Sequence, residues 1–176
     1  MATRLDVETR AAQPADIAAV LEIERRSFSD PWSPAAFRSA MTAPHVYFQV
    51  ATGALAGGDP RAVLGYLVAW FAADEGEIAN IAVAPSARQL GVGRQLLDDA
   101  LQAARARRVA SVYLEVRESN HAARTLYASR GFAPVGVRRG YYQHPPEDAL
   151  VMRAVLGGEL DDDGEEGGAS LVNAPS

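Results

Sequence analysis

Residues 80–101 read NIAVAPSARQLGVGRQLLDDAL, and this stretch decides the fold. Ile78, Ile81 and Val83 are strand formers, and Pro85 ends their run. Arg88, Gly91 and Gly93 follow in the order R-x-x-G-x-G. Val92, Leu96, Leu97, Ala100 and Leu101 then recur at helical spacing. Strand, glycine loop and helix in succession have a physical use. Glycine lets the backbone approach a ligand with no Cβ in the way. The first amides of a helix lack internal partners and sit at the positive end of its dipole. Together they suit a phosphate or pyrophosphate. The same pattern also makes an ordinary tight turn, so the stretch does not decide its own role.

A second block supplies the context. Residues 113–132 read YLEVRESNHAARTLYASRGF. The two blocks together resemble the acetyl-CoA-binding core of the GNAT N-acetyltransferases. The first is similar to that family's R/Q-x-x-G-x-G/A motif. The second, as L-E-V-R-x-x-N-x-x-A-x-x-L-Y-x-x-x-G-F, resembles the RimI branch, the ribosomal-protein-alanine acetyltransferases that modify protein N-termini. Asp30-Pro31-Trp32-Ser33, Asn80-Ile81-Ala82-Val83, Arg138-Arg139 and Tyr141-Tyr142 also fit that branch. The resemblance runs from about Leu5 to Met152.

Working outward, alternation over residues 4–9 indicates a first strand. Gln13-Pro14 opens a helix with an apolar stripe at Ile17, Val20, Leu21 and Ile23. Ser33-Pro34 starts a shorter helix through Phe37 and Met41. Strands follow over residues 45–51, 62–71 and 77–83, the middle one apolar enough for a central position. A helix from Gly91 to Arg107 or Arg108 carries Arg105, Arg107 and Arg108 at its dipole-matched end. A strand over 111–116, a helix capped by Ser119-Asn120 and ending at Gly131, a strand over 132–138, a loop over 140–147 and a last strand over 148–155 complete the order. The fold class is mixed α/β. The resemblance implies a mostly antiparallel sheet of six to seven strands with about four helices. It also implies a splay between the strands ending at Val83 and starting at Ser111, with the cofactor's pantetheine arm in the wedge.

Composition bounds the rest. The 176 residues fit one domain, assigned to residues 1–156, followed by an acidic, glycine-rich tail over 157–176 that cannot bury a core. A solvated terminus, a pseudo-substrate and a chaperone-like arm are alternative readings of that tail. No cysteine is present, which excludes a thiol nucleophile and fits a reducing cytoplasm. No apolar run reaches the roughly 18 residues a membrane span needs. The start, MATRLDVETR, lacks the apolar centre of a signal peptide. All 17 basic residues are arginine. The net charge of -5 owes itself to six acids in the last twenty residues, so the body is near neutral and carries no broad nucleic-acid surface. His45, His121 and His144 show no metal-ligand spacing, and no metal site is expected.

By resemblance the reaction moves an acetyl group from acetyl-CoA to an amine in a ternary complex. The amine must lose a proton, because an α-ammonium with a pKa near about 8 is mostly charged at neutral pH. The developing oxyanion needs donors, and the leaving thiolate needs an acid. Glu115, a carboxylate among Val112, Leu114 and Val116, is the candidate base. Its alternative is a structural ion pair with Arg117 or another arginine. Glu77 is a rival base. Tyr127 is the candidate acid, or else a core aromatic beside Leu126.

The resemblance assigns cofactor contacts to Arg88, Gln89, Leu90, Gly91, Val92, Gly93 and Arg94 around the pyrophosphate. It assigns backbone contacts to Ile81, Ala82 and Val83, with the Val83 amide as oxyanion donor, and a contact near the pantetheine to Asn120, which also suits an N-cap. Leu90 departs from the family's usual polar residue. Glu24, Trp32, Arg139, Tyr141 and Tyr142 are expected as walls of a peptide site. The implied partner is a protein N-terminus, of a ribosomal protein beginning with Ala, met by a monomer or weak dimer. A small-molecule amine and a catalytically silent binding module are the competing readings.

Overall fold

The computed structural model describes residues 5–157. Its elements are β1 (Glu8–Ala11), α1 (Ile17–Ser27), α2 (Pro34–Thr42), β2 (Val46–Thr52), β3 (Val63–Ala72), β4 (Glu75–Val83), α3 (Val92–Ala106), β5 (Ser111–Arg117), α4 (His121–Ala128), β6 (Phe132–Gln143) and β7 (Pro146–Val155). Short 3-10 turns at Pro14–Asp16 and Pro85–Ala87 precede α1 and the loop into α3. The seven strands form one open sheet in the order β1-β2-β3-β4-β5-β7-β6. Its pairings are antiparallel except for β4 with β5, which run parallel.

Two apolar layers cover the sheet. Leu67, Ala69 and Phe71 of β3 and Val112, Leu114 and Val116 of β5 pack on one face with Val92, Leu96, Leu97, Ala100 and Leu101 of α3 and with Tyr127 of α4. On the other face Phe48 and Val50 of β2 and Tyr66 and Val68 of β3 pack with Ile17, Val20, Leu21 and Ile23 of α1 and Phe37 of α2. Period-2 strands and period-3.6 helices thus bury one face each against the other. β3 lies inside the sheet between β2 and β4, in keeping with its apolar run.

Two boundaries differ from the sequence reading. The first strand begins at Glu8 rather than at residue 4. The expected loop over 140–147 is mostly strand, because β6 continues to Gln143 and Tyr142 and Gln143 pair with Glu147 and Pro146. The register slips between Arg138 and Tyr142, where Gly140 takes a φ of 62°. An irregularity of this kind bends a strand without ending it, and residue types alone read as a loop. The tail assigned from Gly157 onward lies, past that residue, outside the described residues. Among the described residues no helix is long and apolar enough to cross a membrane.

Gly65 of β3 lies directly beneath α3. A Cβ there would sit 2.9 Å from the Ala82 carbonyl oxygen and 3.2 Å from both Leu96 Cδ1 and Val92 Cγ1. The backbone oxygen cannot yield without moving β4. Gly65→Ala is expected to cost about 1–3 kcal/mol in denaturant unfolding. Gly136→Ala serves as the neutral control, since its Cβ would meet nothing within 4 Å.

Candidate active site

The parallel ladder between β4 and β5 runs from Glu75↔Ser111 to Ile78↔Leu114 and stops. Beyond it β4 stays paired to β3 as far as Val83, and β5 stays paired to β7 as far as Arg117. The two strands therefore part at Ala79 and Glu115, opening a wedge bordered by the backbone of residues 79–83. The β3 register passes from Asn80 to Ile78 and leaves Ala79 as an extra residue. That bulge turns β4 over. Before it Ile78 faces the α3 layer, and after it Asn80 and Ala82 face the α1 layer.

Above the wedge stands the glycine loop. Gln89 has a φ of 64° and Gly91 a φ of 87°, so the chain reverses sharply before α3 begins at Val92. Gly91 is the residue type that meets this φ without strain. The first amides of the 15-residue α3 open there. Val92 keeps its side chain in the core, so its part in ligand binding is limited to its backbone. The two candidate arginines separate. Arg88 donates to the Val83 carbonyl (3.1 Å) and to Ser27 (3.2 Å), tying the loop to β4 and α1. Arg94 is exposed and, with Leu90, Gly91, Gln95 and Asp98, lines a surface cavity of about 720 Å³. Asn120 caps α4, its side-chain oxygen accepting from the Ala123 amide at 3.2 Å. An amide-lined helix start with a mobile-length arginine beside it suits a pyrophosphate.

Glu115 and Tyr127 occupy opposite faces of the sheet. Glu115 alternates with Val112, Leu114 and Val116, which share the α3 layer with Tyr127. The proton shuttle expected from the sequence calls for both side chains on one side of the sheet, and the structure places them otherwise, because strand alternation turns Glu115 away from the α3 layer. The β4–β5 ladder ends at Leu114, one residue before Glu115, while Tyr127 is buried against the α3 layer. Glu115 pairs with Arg138, Nε to Oε1, at 2.8 Å, so its cation is Arg138 and not Arg117. Glu77 lies on the same face, beside Tyr113 in the register. Burial, and then the Glu115 charge, hold the Glu77 carboxyl above its ordinary value, with Arg138 opposing. Burial raises the Tyr127 hydroxyl, and the Tyr142 hydroxyl adds to the effect. Tyr141 and Tyr142 pack edge to face at 5.0 Å, and Arg117 lies 4.1 Å over the Tyr142 ring. Arg139 is 90% exposed and reaches Asp148 only at 3.9 Å.

Residues 17–132 match the family described as Acetyltransferase (GNAT) family. The chain belongs to the GNAT acetyltransferases. It is 36% identical over 140 residues to the [ribosomal protein bS18]-alanine N-acetyltransferase of Escherichia coli (strain K12), covering 78% of this chain and 89% of that protein. It is 39% identical over 145 residues to N-alpha-acetyltransferase RimI of Mycobacterium tuberculosis, covering 79% and 86%. The crystal structure of the ribosomal-protein-S18-alanine N-acetyltransferase from Escherichia coli superimposes with a TM-score of 0.78 at 29% identity, covering 91% of this chain and all of that one. The splayed sheet is thus the GNAT sheet, the branch is the RimI branch, and the acetyl donor is acetyl-CoA.

Glu24 departs from its expected place in this GNAT site. It is 1% exposed, and its carboxylate accepts from the Trp32 amide (2.9 Å), from Asn80 Nδ2 (2.9 and 3.1 Å) and from the Tyr66 hydroxyl. A sealed carboxylate cannot line a peptide groove. It joins α1, the α1–α2 loop, β3 and β4 instead. Trp32 is half-buried and packs on Phe37 and Trp70. Two further ties escaped sequence reading. Arg117 contacts the carbonyls of His144 and Pro145, Glu147 and Ser29. His144 Nδ1 lies 3.0 Å from Asp30. They fasten the α1–α2 loop to the β6–β7 turn. The only signal for them was polar side chains in short loops.

Burial raises the Glu24 pKa from 4.5, against the three hydrogen bonds that lower it. The folded state then keeps a proton that the unfolded chain has released. Stability attributable to this group is present below about pH 4.5 and falls as pH rises through the raised folded value. Glu24→Gln should flatten that slope in denaturant titrations. Glu24→Ala should cost about 3 kcal/mol by orphaning three buried donors.

Proposed function

We propose that this chain acetylates the N-terminal α-amino group of a protein, and that its substrate is ribosomal protein bS18, the protein named for its Escherichia coli relative. The reading places the reaction in the cytoplasm, where ribosomal proteins are made and modified. The observation that carries it is the wedge itself, with a carboxylate on one face and a phenol on the other. The cleft on the α1 face is walled by Trp32 and the Tyr141–Tyr142 pair, and its end is fastened by Arg117 and His144. Such a cleft suits an extended peptide end-on, with aromatic sides against its first residues.

Acetyl-CoA supplies the activated thioester. In this reading the amides of residues 89–94 and the exposed Arg94 hold its pyrophosphate, and the gap-facing backbone of Ile81, Ala82 and Val83 lies along the wedge. The Val83 amide serves as oxyanion donor. Arg88 serves indirectly, bracing Val83 from behind. Asn120 caps α4 and keeps its side-chain NH₂ for the ligand.

Glu115 takes the proton from the substrate's ammonium, directly or through a water, from the α1 face. Tyr127 gives the departing thiolate a proton from the α3 face. Its raised pKa keeps that hydroxyl protonated until charge develops beside it.

Glu115→Gln and Tyr127→Phe should each lower kcat by roughly 10²–10⁴-fold in steady-state assays while acetyl-CoA affinity survives. Wild-type turnover by both variants would refute the roles. Ala-initiated bS18 peptide should be preferred over Ser- and Met-initiated peptides, lysine peptides and polyamines. Preference for a polyamine would refute the substrate reading.

A further inference from the structure

Arg138 has no assigned part in the chemistry, yet its guanidinium holds the carboxylate that the proposed reaction uses. The Arg138–Glu115 pair is 2.8 Å long with side chains 30% and 17% exposed, so it is only partly screened. The other cations of this face are engaged elsewhere. Arg117 is held by the β6–β7 turn and Ser29, and Arg139 points outward to Asp148. Glu77 shares the face, so two carboxylates gather around one guanidinium. Tyr141 and Tyr142 complete the surroundings, with the Arg138 guanidinium 5.7 Å from the Tyr141 ring centroid.

Such an arrangement sets a conflict. A carboxylate that takes a proton from an ammonium must present a lone pair to it, and the ammonium is itself a cation seeking the same oxygens. A permanent guanidinium pair would occupy the base. Arg138 is the last residue of β6 in regular register before the slip that ends at Tyr142. Its long side chain can swing without breaking the ladder.

We propose that Arg138 stands in the free enzyme where the substrate's α-ammonium goes, so that the substrate binds by exchanging one cation for another at Glu115. The inference rests on the reading of Glu115 as the proton acceptor. Arg138 is then a positioning residue. It keeps the carboxylates compatible while the site is empty and limits entry to ligands that bring their own positive charge. An N-terminally blocked chain, which lacks the ammonium, cannot displace it.

The test is calorimetric binding of two short Ala-initiated peptides to the CoA-loaded enzyme, one with a free N-terminus and one N-acetylated. Arg138→Met keeps the stem length and removes the charge, and Arg138→Gln is a second variant should the first misfold. Either should tighten the free peptide on the order of fivefold, a weak ion pair's worth of competition. The acetylated peptide should be unchanged, and Arg138→Lys should restore wild-type affinity for both. In steady state, KM for the free peptide should fall in the same proportion. Weaker or unaltered binding of the free peptide, or an equal change for both peptides, would overturn the inference. Repeating the comparison on Glu115→Gln separates the two readings. There the gain should vanish, and its persistence also overturns the exchange. Retention of kcat by Glu115→Gln would instead remove the role of the base.

Discussion

Four residue pairs hold β4 to β5, and then the ladder ends. The wedge between the two strands depends on that interruption. Had the pairing continued, Glu115 and Tyr127 would be separated by a closed sheet, and residues 79–83 would spend their gap-facing backbone on a neighbouring strand. The interruption persists because each strand is fully committed on its outer side, β4 to β3 and β5 to β7. Neither can swing across without giving up a ladder that already satisfies it. An open seam in a packed sheet is a costly feature, and the start of α3 stands beside it, with Gly93 next to Val83.

A second constraint fixes the seam's substrate side. The Glu24 carboxylate gathers donors from the α1–α2 loop, β3 and β4. Sealing a carboxylate from water is unfavourable unless several donors surround it, and here they do. Tyr66 belongs to the same polar centre, and burial and the Glu24 charge push its hydroxyl up. The result ties the chain segment carrying Trp32 to the strand that borders the wedge. Arg117 and the His144–Asp30 pair repeat the tie at the far end of the cleft. Loops that would otherwise move independently become one rim.

Most of the architecture was legible because period and punctuation agree. Pro85, the positive-φ Gly91 and the spacing of Val92, Leu96 and Leu97 point to strand, turn and helix together. The element order and the wedge implied by the family resemblance both match the structure. What stayed hidden is geometry that residue types do not encode. Glu24 sits on α1 at a position of its apolar stripe, which reads equally as a cleft wall or a buried anchor. Arg138 and Arg117 are two of seventeen arginines, and nothing local says which one meets Glu115. The strand through Tyr142 reads as loop because Gly140 and the prolines after it carry turn chemistry, while tertiary pairing with β7 overrides it.

The extra residue at Ala79 divides β4 into two half-strands of opposite parity. Up to Ile78 the even-numbered positions belong to the hydrophobic layer under α3, and from Asn80 onward that layer receives the odd ones, Ile81 and Val83. Odd and even positions of the strand therefore exchange faces at Ala79. Were Ala79 taken into the regular ladder instead, Asn80 would turn towards the apolar layer under α3 and Ile81 would face Glu24. The unpaired residue, and not the residue types around it, sets which face each later side chain of β4 takes.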